Sequence, residues 1–526
     1  MRTTPTRPRT SRRPNSDEDG FLAAGAWIIP VGVLGALVGS FLNVVIFRLP
    51  RGLSVSSPAW SFCPRCEKRL LPWHNVPIFG WLFLRGRCHF CEQPIPVVYP
   101  VVECLTALTF VITWDACFIG RADVAAGAEP VHWAYAASLI VMYAGLIATA
   151  GMDIESYSLD IRVPLFTLAV SAILRGLQGL AEPHQIGNNS LPPGLTCVAL
   201  AGGAGWLLGW PLTRHLARRP TDEDATGNSE SAPLGQGSDS AGRETTATNP
   251  DGSVTAPCQA AVPLESAPAS FQPLPVILLA AALLGLVVWV AAAPQWPTQL
   301  AAFHAGQVRG LVAVSIFLIV MILASMVARD ADDEIVTTLE RERVSARAIA
   351  LRELICLVPA VAAGIGVFAL LRGKEWLGLE WAALLRQFMG IEGSLTGATA
   401  GFVGASQALA DAAIAAALGW AVRIGGTLAF GKEAFGTGDI YLMAAIAAAG
   451  GWFMMLIAFF ASALLALVGV IATSMHKSAR AIPFGPWLGL GALAALYLER
   501  PLTGWFGPAG GMIWGWLTGQ NRIGTW

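Results

Sequence analysis

Long apolar runs separated by short polar stretches are the dominant pattern of this chain. The first, Phe21 to Phe47, holds 27 residues without a charge. The core of a cleaved signal peptide is only ~7–15 residues long, so the run predicts a retained membrane helix. Further runs of spanning length lie near 97–119, 132–151, 163–180, 193–212, 274–293, 308–328, 352–371, 394–421, 453–472 and 481–499. A shorter one, Ile440 to Gly450, cannot cross an average bilayer unaided and is expected to be a half-helix packed against protein, because lipid cannot satisfy irregular backbone. The predicted fold is an all-α polytopic membrane protein with about 11 spanning helices plus one short helix.

The polar stretches set the sidedness. Lys and Arg of short loops collect on the cytoplasmic side. Arg48, Arg51, Lys68, Arg69, Arg85 and Arg87 therefore put the segment after the first helix inside, and alternation keeps Arg214, Arg218 and Arg219, the stretch Arg329 to Arg352, Arg423 with Lys432, and Lys477 with Arg480 on that side. Only the tail Arg2 to Arg13 dissents; a start codon beyond it would remove the conflict. Residues 214–273 are rich in Ser, Gly, Thr, Pro, Ala and acid, with too few large apolar side chains to offset ordering. They predict a disordered cytoplasmic linker. Composition agrees, with 54% hydrophobic and 13% charged residues, against about 25% charged in soluble domains. Acid and base nearly cancel, at 35 against 34, so no single-signed field exists to gather nucleic acid, which is not an expected partner.

Four of the nine cysteines form two pairs, Cys63-Pro-Arg-Cys66 and Cys88-His-Phe-Cys91. Each pair can grip one side of a tetrahedral zinc ion. A redox motif would need one pair only, and cytosolic disulfides are disfavoured by the reducing compartment. His74 and His89 lie nearby, but four thiolates already fill the shell. Residues 48–96 are read as a small cytoplasmic tetra-cysteine zinc-binding domain.

Carboxylates at membrane depth are costly, which makes them functional candidates. Asp153 ends the run at 132–151, and Asp439 precedes Ile440; alternation brings both to the cytoplasmic face, six crossings apart. Two carboxylates a few Å apart cannot both ionise, so such a pair shares a proton. The ionised member can then take a proton from water while the protonated one donates to a peptide carbonyl, as in aspartic proteases. Gly436 and Gly438 let backbone approach closely beside Asp439. Taken singly, either aspartate would serve equally as a helix cap. Asp160 reads as a solvated loop residue or secondary contact. Glu103, inside the run at 97–119, would orient a catalytic group or make a structural interhelical hydrogen bond.

Four stretches, in order, resemble the prepilin peptidases, the type IV leader peptidase family of GxGD-type membrane aspartic proteases. They are Gly39-Ser-Phe-Leu-Asn-Val-Val-Ile-Phe-Arg-Leu-Pro50; the cysteine stretch 63–91 with Asn75-Val-Pro77, Leu84-Arg-Gly-Arg-Cys88 and the following Tyr99-Pro-Val-Val-Glu103; Gly436-Thr-Gly-Asp-Ile-Tyr-Leu-Met-Ala444; and Ile482-Pro-Phe-Gly-Pro486. The resemblance implies that Asp153 and Asp439 are the catalytic pair and that a prepilin or type II secretion pseudopilin precursor is cut just after a leader glycine, on the cytoplasmic face of the bacterial inner membrane. It further implies, for many members, N-methylation of the new N-terminus with S-adenosylmethionine; no glycine-rich Rossmann fingerprint locates that cofactor in this chain. Two features depart from the family pattern. The run Asp153 to Pro164 is one residue short and lacks the usual proline before its second aspartate, and Tyr441 stands where the family has Lys.

Set against the family, the chain divides into a tail (1–20), a first membrane helix (21–47), the cysteine domain (48–96), a membrane core with the first aspartate (97–181), an insertion with about four extra helices and the linker (182–391), a core with the GxGD motif (392–500) and a C-terminal tail (501–526). A proton-coupled membrane transporter and an inactive assembly scaffold with a structural zinc site are the competing readings. The first would place carboxylates near mid-membrane on paired repeats, and neither is visible. Deleting 214–273 is expected to leave leader cleavage largely intact, because a disordered tether contributes no packing; a cleavage assay on the shortened protein checks it.

Overall fold

The computed structural model describes residues 27–119, 133–156, 159–181, 196–207, 314, 346–372, 397–431, 434–474, 484–499 and 502. The runs at 274–293 and, apart from Val314, 308–328 lie outside the described residues, as do the linker 214–273 and the tail 1–20. The described chain is helical: α1 (Ile28–Arg48), α2 (Val98–Trp114, continued by a π turn Asp115–Ile119), α3 (Trp133–Ser156), α4 (Arg162–Ala181), α5 (Thr196–Leu207), α6 (Ala346–Cys356), α7 (Val358–Arg372), α8 (Gly397–Phe430), α9 (Thr437–Gly450), α10 (Trp452–Ser474) and α11 (484–499). Among the described residues six stretches are long and apolar enough to cross a membrane: Ile28–Arg48, Val98–Phe118, Trp133–Glu155, Arg162–Ala181, Ala400–Phe430 and Trp452–Ile471.

Three expected runs take other shapes. The run at 193–212 is described as a helix over 196–207 only. The run at 352–371 is two helices meeting at Leu357, because Pro359 has no amide to continue a helix yet fits the first turn of a new one. The run at 394–421 grows into the 34-residue α8, about 51 Å at 1.5 Å per residue. Arg423, expected in a loop, lies within α8 and is buried. The helix continues past this charge because Glu353 of α6 pairs with it at 3.1 Å and the Phe435 carbonyl accepts from it at 2.6 Å.

Close packing comes from glycine. Gly35 and Gly39 of α1 sit one turn apart against α2, where an added Cβ would stand 2.7 Å from the Ala107 Cα and 2.7 Å from the Glu103 Cα. This small-xxx-small spacing lets two backbones touch, which is how helices gain contact in lipid, where burial of apolar surface offers no drive. α4 and α8, which flank residues 182–391 in sequence, pack directly, with Gly176 and Gly401 backbone to backbone. The described helices between them pack on this pair: Gly205 of α5 lies against Pro359 to Ala363 of α7, and Trp206 meets Trp420 of α8 at 6.2 Å.

α9 is the axis of the bundle. At 14 residues it spans about 21 Å, short of the ~30 Å hydrocarbon core, and Ile440 and Leu442 to Gly450 are all buried. A helix apolar on every side belongs inside a core. Around it pack Leu139, Met142 and Tyr143 of α3, Met454 and Ala458 of α10, and Leu488 and Ala492 of α11, with the Tyr143 hydroxyl donating to the Ala492 carbonyl at 2.9 Å. Gly39→Leu is expected to force α1 off α2 at about 1–3 kcal/mol, lowering the thermal unfolding midpoint in detergent by several degrees. Gly366→Ala inside α7, with nothing within 4 Å, should not lower it, because Ala is favoured over Gly in a helix interior.

Candidate active site and metal centre

One end of the bundle gathers most of the residues singled out from the sequence. α1 runs toward that end and stops at Arg48, and the exposed Arg51 just beyond it pairs with Glu155 of α3 at 2.8 Å. Asp153 is therefore at the end of α3 that adjoins the cysteine module. The first turn of α11 covers it: the Gly485 N–H donates to the Asp153 carboxylate, and a Cβ on Gly485 would stand 3.2 Å from Asp153 Oδ2. This accounts for a glycine inside the Ile482–Pro486 stretch.

Asp439 comes to the same place from α9. It is not the residue that caps the helix, because α9 starts at Thr437 with Gly436 as the N-cap. As the third helical residue it turns back, and its carboxylate accepts the Gly436 N–H, the acidic half of a capping box. Gly436 is needed for room rather than for an unusual backbone: its φ is −69°, but an added Cβ would lie 3.0 Å from Asp439 Oδ2. Gly438 likewise would press on Leu159, 3.1 Å away, in the segment that follows Asp153. The two carboxylates are near enough for the charge of Asp153 to act on Asp439. Each is held by an amide of a helix's first turn, where unpaired N–H groups and the helix dipole favour negative charge. Asp160 serves the start of α4 instead. It accepts the Arg162 N–H at 2.9 Å and the Arg162 guanidinium, and this hydrogen bonding holds its carboxyl below the usual range.

Glu103 is drawn to the cysteine module rather than to Asp153 or Asp439. Its carboxylate accepts the backbone N–H of Ile78 at 2.6 Å and interacts with Ser40 and Asn43 of α1. Asn43 also donates to the Tyr99 carbonyl at 3.0 Å. Arg48 organises the loop ahead of the first cysteine pair. Buried beside the ring of Phe62, its guanidinium donates to the carbonyls of Ser54, Val55, Pro58 and Trp60 at 2.9–3.2 Å.

The two cysteine pairs build equivalent knuckles. In each, the first cysteine's N–H bonds a carbonyl five residues on, Lys68 or Gln93, and the N–H of the fifth residue, Glu67 or Glu92, returns to the first cysteine's carbonyl. Both glutamates have positive φ, 55° and 57°. All four sulfurs lie within 4.8 Å of one another, with Cys63 and Cys91 at 3.9 Å, and none is in a disulfide. A tetrahedral site with ~2.3 Å metal–sulfur bonds has sulfur–sulfur edges of about 3.8 Å, so the four sulfurs could hold a metal ion. Burial pushes the Cys63 thiol up to about 12. Burial also works to raise Cys88, but the N–H groups of Phe90 and Cys91 outweigh it and bring it to about 7. A cation among the sulfurs removes this conflict, since coordinating thiols are deprotonated. His74 and His89 are not among the clustered donors. Their rings meet at a tilt with centroids 4.8 Å apart, and burial together with the charge of His89 lowers the pKa of His74.

Asp411 belongs to none of the motifs read from the sequence and lies inside the apolar run at 394–421. A carboxylate there is itself the signal. It is buried in α8 and accepts the N–H of Trp452 where α10 begins, with Arg175 of α4 as the opposing charge.

Residues 33–116 match the family Bacterial Peptidase A24 N-terminal domain. The chain is also similar to proteins named prepilin leader peptidase/N-methyltransferase. That of Pectobacterium carotovorum subsp. carotovorum is 42% identical over 104 residues, covering 16% of this chain and 37% of the relative. That of Myxococcus xanthus is 54% identical over 78 residues, covering 15% and 23%. That of Stutzerimonas stutzeri is 32% identical over 160 residues, covering 26% and 50%. The chain thus spans half or less of the length of these relatives. No solved structure matches it. The family match thus covers the stretch from α1 to α2 that carries the cysteine module, and it is there that the chain is similar to Bacterial Peptidase A24 N-terminal domains.

Proposed function

We propose that this chain is a membrane aspartic endopeptidase that removes the leader peptide of type IV prepilins or type II secretion pseudopilins at the cytoplasmic face of the bacterial inner membrane. The observation that carries the reading is the meeting of Asp153 and Asp439 at one end of the bundle, each held by the first turn of a helix. Both aspartates are half-buried. With one proton between them, the ionised carboxylate takes a proton from a water molecule as the water oxygen attacks the scissile carbonyl carbon. The protonated one donates to the carbonyl oxygen, and the tetrahedral intermediate then collapses with the proton passing to the leaving amine. A substrate whose own leader is followed by an apolar helix would bring its cleavage site to this depth.

Zinc is the proposed occupant of Cys63, Cys66, Cys88 and Cys91, supplying a cross-link between the two knuckles in a module too small to have a core of its own. N-methylation of the new N-terminus, with S-adenosylmethionine as donor, rests on the names of the relatives alone, and no residue of this chain is assigned to it.

Asp153→Asn and Asp439→Asn should each lower leader removal by about a thousandfold or more, as loss of one member of a catalytic unit does, with insertion into membranes unchanged. Mass spectrometry of a co-expressed prepilin reads this, and cleavage surviving in either variant would refute the pair. Cys63→Ser with Cys66→Ser should lower bound zinc measured by elemental analysis. Unchanged metal content would show that other residues hold it.

A further inference from the structure

The cysteine module carries an apolar edge on its outside. In the one-turn helix Phe79–Phe83, Gly80 and Trp81 face inward, Trp81 only 8% exposed and donating to the Ile95 carbonyl at 3.2 Å. Phe79, Leu82 and Phe83 face outward at 57%, 48% and 81% exposure, with Trp73 beside them at 63%. A small module in water gains nothing by turning three such side chains out while it buries their neighbour.

The position of this edge along the bundle says what meets it. Ile78, directly before the helix, is fixed to Glu103, and Glu103 lies where α2 crosses α1 at Gly39. Gly39 is nine residues inside the Arg48 end of α1 (48 − 39), about 13 Å at 1.5 Å per residue. A headgroup layer is only about 5–8 Å thick on each side. The outward stripe of α1, with Leu34, Leu37 and Phe41 all more than half exposed, ends at this same level. The apolar edge therefore lies at the depth of the lipid-facing surface of a spanning helix. The module is also basic, with five Lys and Arg against two acidic residues from Trp60 to Pro96, and the exposed Arg85 and Arg87 follow the helix directly.

We propose that the Phe79–Phe83 helix is an interfacial membrane anchor, with Phe79, Leu82 and Phe83 among the acyl chains of the leaflet that the module faces and Arg85 and Arg87 among its anionic phosphates. Aromatic side chains at the boundary and basic ones just outside it are the composition that this zone selects. The anchor holds the metal-binding knuckles against the bilayer, and it requires only that α1 and α2 span, not that the chain cleaves anything.

The test places a photoreactive benzoylphenylalanine at Phe83 of the full chain, reconstituted in nanodiscs of phosphatidylglycerol and phosphatidylcholine, and reads adducts by mass after illumination. Leu464, exposed on α10, is the lipid-facing reference, and Arg65, exposed at the first knuckle, is the aqueous one. Lipid adducts at Phe83 comparable with Leu464 and several-fold above Arg65 are expected, with Leu82 as a second position if the Phe83 variant does not accumulate. Adducts at Phe83 no more frequent than at Arg65 would overturn the proposal, and so would adducts to an added prepilin or to a second copy of the chain in place of lipid.

Discussion

A bilayer core offers no water, so a polar group carried into this bundle is costly unless another group of the chain meets it. An unmet one costs roughly 2–7 kcal/mol, which rivals the about 5–15 kcal/mol by which a domain is stable at all. The pairings of the structure follow from that constraint. Asn43 finds the Tyr99 carbonyl, Glu103 the Ile78 amide, Arg423 both Glu353 and the Phe435 carbonyl, and Tyr143 the Ala492 carbonyl. The same constraint makes Asp153 and Asp439 conspicuous. Helix-end amides satisfy part of each carboxylate, and the charge of Asp153 acts on Asp439.

Glycine determines where those polar groups can meet. Gly35 and Gly39 bring α1 onto α2, and only then can Glu103 reach Ile78 and position the module. At the other side of the site, Gly485 admits the start of α11 to Asp153, while Gly436 and Gly438 keep the start of α9 clear for Asp439 and Leu159. The Arg51–Glu155 pair, two residues from Asp153, ties the module's entry to the helix that bears the first aspartate. Both of its partners are more than a third exposed, so its worth is in alignment rather than stability.

What could be read in the sequence was what depends on local composition. Apolar runs gave the helices of the described bundle, and paired cysteines gave the cluster, because both signals are carried by residues close together in the chain. Run edges misled wherever a charge was met from afar: Arg423 looked like a loop residue because Glu353 lies 70 positions away, and α8 passes straight through it. Asp411 disappeared into its run for the same reason, its partners Arg175 and Trp452 being on other helices. The attachment of Glu103 to a backbone amide was also beyond reach, since an amide leaves no trace in the sequence. Asp439 was placed at a helix start, but its part there, reaching back from the third position to Gly436, needs the helix to begin earlier than the apolar run does.

A shared proton leaves a kinetic trace. The profile of kcat/KM against pH for leader removal from a synthetic prepilin should fall on both sides of an optimum, on the acid side as the second carboxylate is protonated and on the alkaline side as the shared proton is lost. A rate that keeps rising into alkaline solution, as for attack by hydroxide or by a metal-bound water, would contradict a pair of aspartates working as one unit.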